Sequence, residues 1–98
     1  MNLIDLFTEI EDERLSRAQL EAYEQKLASL KGRYQLRKAE LLKAKGLFKK
    51  RLGDVPNTKK EDEWDSSDEG QELIDVKGNI DAISPILSSI KSRIYQSY

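Results

Sequence analysis

The strongest pattern in the chain lies toward its C-terminal end. Leu73, Val76, Ile80, Ile83, Leu87, Ile90 and Ile94 recur at alternating intervals of three and four, and all seven are branched aliphatics. That spacing puts them on one helical face, as the a and d positions of a heptad. Pro85 stands in the middle of the run. Ser84 can cap a new helix with Pro85 at its first position, yet the heptad phase continues unbroken across the proline. One kinked helix over about residues 69–96 is the favoured reading, and two separate helices the alternative.

A second seam runs through the middle of the chain. Leu20, Tyr23, Leu27, Leu30, Tyr34, Arg37, Leu41, Ala44, Phe48 and Arg51 take the a and d positions, and eight of these ten are apolar or aromatic. Arg37 interrupts the seam and can fix its register. Leu36, Leu42, Leu47 and Leu52 are expected to widen the stripe in its second half. The start is marked by Ser16 and Gln19, spaced as a capping box, and by Leu15 and Leu20, spaced as a hydrophobic staple. Gly53 suits the position just past the end, with Pro56 close behind, so this helix is predicted over about 17–52.

Leu3, Ile4, Leu6, Phe7 and Ile10 predict a shorter helix over about 3–13, with Asn2 placed to cap it. The alternative is a single helix running straight through from Leu3. Residues 53–68 combine turn formers with charge and show no periodicity, which predicts a flexible acidic linker. Ser66 with Glu69, or Asp68 with Gln71, is spaced to cap the helix that follows. Gly32, Gly46 and Gly78 fall at heptad position f, opposite the seams, where they permit either bending or a close approach from behind.

The fold class predicted is all-α: a short N-terminal helix plus two long heptad-patterned helices, paired as an antiparallel hairpin or small bundle in a single helical domain, 1–98. Two narrow stripes bury little surface in a chain this short. The aliphatic seam from Leu73 to Ile94 is therefore also read as a self-association surface, and the chain as a homo-oligomer.

Composition narrows the function classes. The 98 residues include no histidine and no cysteine. That removes disulfides, zinc sites of the usual ligand types, cysteine nucleophiles and Ser–His–Asp triads. No calcium-loop spacing and no phosphate-cradling glycine run is present. An enzyme is not expected, nor any cofactor or metal. The apolar runs are too short for a membrane span. Asp5 and Glu9 near the start argue against a signal or transit peptide, so the expected location is cytoplasmic.

Charge comes in blocks. Residues 31–51 hold nine bases against Glu40 alone, and residues 54–75 hold nine acids against Lys59 and Lys60. Lys31, Lys38 and Lys45 form a line at heptad position e, and Lys43 and Lys50 a second line at position c. The last helix offers Glu72 as the one acid at its flanking e and g positions. The lysines are therefore met by the N-terminal acids, by the acidic segment or by another protein, or else are simply solvated. Trp64, set among acids, is an aromatic anchor for a partner's pocket or for the chain's own helices. Ser66 and Ser67 ahead of acids resemble an acid-directed phosphorylation site. Ser84, Ser88, Ser89, Ser92 and Ser97 give the last helix a small, weakly polar outer face, with Tyr95 and Tyr98 as anchors at its end.

The expected function is a non-enzymatic protein–protein interaction module: a small adaptor, inhibitor or assembly subunit that occupies a partner's surface. The candidate partner-binding residues are Lys31, Lys38, Lys43, Lys45, Lys50, Trp64, Tyr95 and Tyr98. The alternative is nucleic-acid binding through the basic stripe of the long helix, with counterion release from phosphates as its driving force.

Overall fold

A computed structural model describes residues 3–96. These form four α-helices and, among the described residues, no strand: α1 (Leu3–Ile10), α2 (Arg17–Arg51), α3 (Asn57–Ser66) and α4 (Asp68–Gln96). The protein is all-α. Asn2, Ser97 and Tyr98, expected as a cap, a face residue and an anchor, lie outside the described residues. The chain divides into two compact units. One is Met1–Lys31 with Asp81–Tyr98, and the other is Gly32–Ile80. The long helices α2 and α4 each contribute to both.

In the first unit, Leu6 and Ile10 of α1 are buried, as are Leu20 and Leu27 of α2 and Ile83, Leu87, Ile90 and Ile94 of α4. α1 ends at Ile10 and not near residue 13. The reason is a residue far away in sequence: the Arg93 guanidinium donates to the carbonyls of Ile10, at 2.6 Å, and Asp12, at 2.7 Å. A helix end leaves carbonyls without partners, and this fork supplies one. The chain then turns as the Asp12 carboxylate accepts the N–H of Arg14 at 3.0 Å. That bond holds the Asp12 carboxyl below its ordinary range, with the Arg14 side chain adding to the effect.

The capping box forms as the spacing predicts. Ser16 N–H donates to Gln19 Oε1 at 2.8 Å, and Gln19 N–H donates to Ser16 Oγ at 3.2 Å. Two orphan donors are satisfied reciprocally, which starts α2 at Arg17 as a new helix. At its other end Gly53 adopts φ 66°, a left-handed conformation that a Cβ disfavours.

The second unit corrects the largest expectation. Residues 57–66, predicted as part of a flexible linker, form α3. The segment lacks a periodic apolar face, but one side chain suffices to hold it. Trp64 is 2% exposed and joins Leu41, Leu73 and Val76 in a core flanked by Tyr34, Ala44, Phe48 and Ile80. Its ring meets Phe48 edge-on, with centroids 5.5 Å apart and planes at 64°, a geometry that aromatic quadrupoles favour.

The junction of α3 and α4 is built on Ser67, not on the expected Ser66 or Asp68. Ser67 N–H and Oγ both donate to the Trp64 carbonyl, at 3.0 and 2.5 Å. Ser67 Oγ also accepts the N–H of Gly70 at 3.0 Å. One residue thus closes α3 and caps α4. The tight junction requires glycine at position 70, because a Cβ there would lie 1.8 Å from the Trp64 carbonyl oxygen.

α4 runs unbroken through Pro85, which sits on its exposed side. Leu73, Val76, Ile83, Leu87, Ile90 and Ile94 are buried, and Ile80 packs on the core of the second unit. A single chain therefore covers the whole seam. The seven residues expected to form a self-association seam thus pack within the chain, Ile80 only partly buried.

Candidate interaction surface

The basic block of α2 meets two different fates. On one side of the helix the lysines face the chain's own acids. Glu61 of α3 accepts from Lys45 at 2.8 Å and from Lys49. Glu61 and Trp64 stand one turn apart on α3, so charge and ring reach Lys45, Phe48 and Lys49 of α2 together. The two ammonium groups, Lys45 first, pull the Glu61 carboxyl down to about 2. Nearby, Arg37 binds Glu72 of α4 with a fork, Nε to Oε2 at 2.6 Å and Nη2 to Oε1 at 2.7 Å, and also reaches Glu40 at 3.0 Å. The fork holds the Glu72 carboxyl below its ordinary range and raises Arg37 further. The interruption in the seam is thus an ion pair that fixes α2 against α4.

The expected partner-binding residues separate on this geometry. Lys45 is committed to Glu61. Trp64 is in the core, which removes it as an anchor for another protein. Tyr95 is 81% exposed and borders an open depression of about 260 Å³ with Glu24, Lys91 and Ile94. Lys31 and Lys38 are half-buried, whereas Lys43 and Lys50 are exposed. Among the described residues, no carboxylate lies within ion-pair distance of Lys38, Lys43 or Lys50, nor of Arg33 or Arg51.

Beside those bases stand leucines that sequence reasoning assigned to the buried stripe. Leu36 is 66% exposed, Leu47 51% and Leu42 44%. The corrected placement follows from helical geometry. Leu36 and Leu47 are eleven residues apart, which is about 20° from three whole turns, so they share one row. Lys43 and Lys50 lie in the same outward sector. Gly32 and Gly46 are there as well, and a Cβ built on either meets nothing within 4 Å. Within the second unit, then, α2 carries an outward face of two exposed leucines, unpaired bases and open glycines.

Other features were out of reach of sequence reasoning. Nothing local in the sequence announces that Arg93 caps α1. Gly70 carried a faint signal, a glycine two residues into a helix and six beyond a lone tryptophan. The hydroxyl of Tyr23, which donates to Glu9 at 3.1 Å, ties α1 to α2. That hydrogen bond is the main cause of the raised Tyr23 pKa.

No group of metal-ligating side chains occurs among the described residues, and no helix is long and apolar enough to cross a membrane. Comparison with known protein families, curated proteins and solved structures found no match.

Proposed function

We propose that the protein is a non-enzymatic interaction module whose antiparallel helical scaffold holds the outward face of α2 toward a partner protein. The observation that carries this reading is the exposure of Leu36 and Leu47 in one row with Lys43 and Lys50. Single exposed apolar residues are ordinary, but leucines aligned with unneutralised bases on a rigid helix are a recognisable docking surface. Glu61, Glu72 and Arg37 engage in ion pairs within the chain and so leave the outward face of α2 to the remaining bases. Self-association through α4 is not part of this reading, and the cytoplasm suits it.

Cross-linking in the native host, followed by rebinding of the purified captured protein, tests it. Cross-links should concentrate on Lys43 and Lys50. Cross-links confined to other faces would sink the assignment.

The bases of α2 that no described carboxylate engages keep nucleic-acid binding as a second reading. A gel-shift series against salt separates the two. A steep salt slope with DNA or RNA at physiological ionic strength would favour phosphate recognition, whereas weak binding that vanishes there favours the protein partner.

A further inference from the structure

The two sides of α2 in the second unit present nearly the same chemistry, and one of them is already occupied. On the covered side α2 displays Lys45, Phe48 and Lys49. These are answered by a short acidic helix, α3, through one carboxylate, Glu61, and one large apolar side chain, Trp64. On the open side α2 displays Lys43, Leu47 and Lys50, with Leu36 further along the row and Arg33 beside it, and no ion pair among the described residues answers these bases.

We propose, resting on the interaction-module reading, that this open face takes an acidic amphipathic helix from a partner protein, laid along α2 as α3 is laid on the other side. Three observations favour that occupant. The charge is complementary: the basic block holds nine bases, and among the described residues carboxylates engage Arg37, Lys45 and Lys49 of them. The leucines repeat at whole helical turns, which matches apolar residues on a helix at intervals of three and four. The space is there too, because Gly32 and Gly46 leave the backbone of α2 open to close approach. A second copy docked through the same face would set lysine against lysine. A phosphate backbone would use the bases but leave Leu36 and Leu47 without partners.

The test uses the full chain and a fluorescein-labelled synthetic helix with leucine at its a and d positions and glutamate at the flanking positions. A matched peptide with lysine in place of glutamate and a short duplex DNA serve as comparisons. The acidic peptide should bind saturably at physiological ionic strength, and the lysine peptide should not. The double variants Leu36→Gln/Leu47→Gln and Lys43→Glu/Lys50→Glu should each weaken binding by about tenfold or more, the loss typical of a contact that matters. Both sets lie on an exposed face, so thermal melts should stay at the wild-type position. Ser89→Ala, on the exposed side of α4, should bind as wild type.

Unchanged binding in the leucine variant overturns the proposal. If, in addition, duplex DNA binds as tightly as the peptide and loses affinity only with the lysine variant, the protein-partner reading falls with it. If the acidic peptide fails to bind while a host partner still cross-links at Lys43 and Lys50, the wider reading stands and this occupant is wrong. Self-association that disappears in the leucine variant, read by sedimentation, would assign the face to a second copy instead.

Discussion

Two short helices complete the two units, and they are held by different physics. α1 brings two buried aliphatic side chains, Leu6 and Ile10, and hydrogen bonds from Tyr23 and Arg93 fix its position. α3 brings a single buried side chain, Trp64, and adds an ion pair that bridges Lys45 and Lys49 through Glu61. A tryptophan buries roughly as much surface as two smaller apolar side chains, in the range of 150–250 Å². One large ring can therefore replace a periodic apolar face. It can do so only where the neighbouring backbone comes close, and Gly70 allows that approach.

Truncating the anchors gives the largest effects. Trp64→Ala is expected to cost about 3–5 kcal/mol and Leu6→Ala about 2–5 kcal/mol, the usual ranges for buried side chains of these sizes. The sharper measurement is local. Hydrogen exchange should show α3 losing its protection as a whole in Trp64→Ala, because no second apolar residue of that helix is buried. In Leu6→Ala, Ile10 should preserve part of the protection of α1. If α3 keeps its protection without the indole, its ion pairs and not its ring hold it, and the contrast between the two helices disappears.

Glycine substitutions test the close approach on its own. Ala at position 70 would place a Cβ 1.8 Å from the Trp64 carbonyl oxygen and 2.7 Å from its carbon, both backbone atoms that cannot swing aside. Gly70→Ala should therefore destabilise by about 1–3 kcal/mol or more, as overpacking does. Gly46→Ala meets open space and should stabilise α2 by up to about 1 kcal/mol through helix propensity alone. Denaturant melts of the pair should move in opposite directions. A Gly70→Ala protein that melts like wild type would mean that α3 does not need to sit so close.

The contrast between α1 and α3 also explains which parts were readable from the sequence. Repetition was readable: the seams of α2 and α4, and α1 with its apolar spacing, all announce themselves by period. So was local hydrogen-bond chemistry, since Ser16 and Gln19 are neighbours in sequence as well as in space. α3 was not readable, because a single tryptophan among acids has no period, and its stabilising partners lie a helix away. For the same reason the cap that Arg93 supplies was not readable, since its acceptors on Ile10 and Asp12 are distant in the chain. The outward face of α2 was half readable. The charge block and the lysine lines stand out in the sequence. The exposure of Leu36 and Leu47 does not, because any leucine near a seam is easily counted into it.

The smallest effect concerns pH, and it separates the two helices by sign. The Glu61 carboxyl lies at about 2 in the folded protein against an ordinary 4.5, owing first to Lys45 and then to Lys49. A carboxylate depressed by folding contributes stability that is fully present above its unfolded value and is lost as pH falls through the folded value. Protection of α3 should thus decline between 4.5 and about 2, and Glu61→Gln should flatten that part of the profile. For α1 the sign reverses. Tyr23 is raised above its ordinary 10.0, chiefly because its hydroxyl donates to Glu9. Its contribution is therefore present below 10.0 and is lost as pH climbs beyond it through the raised value. Tyr23→Phe should remove that alkaline decline in α1 and leave the acid decline of α3 untouched. Both contacts are at the surface, so high salt should shrink the Glu61 effect. It should have less influence on the Tyr23 bond, whose donor is neutral. Amide exchange followed across both pH windows reads the two effects in one protein. An acid decline in α3 that survives Glu61→Gln would move its cause to Glu72, whose carboxyl is likewise depressed by Arg37.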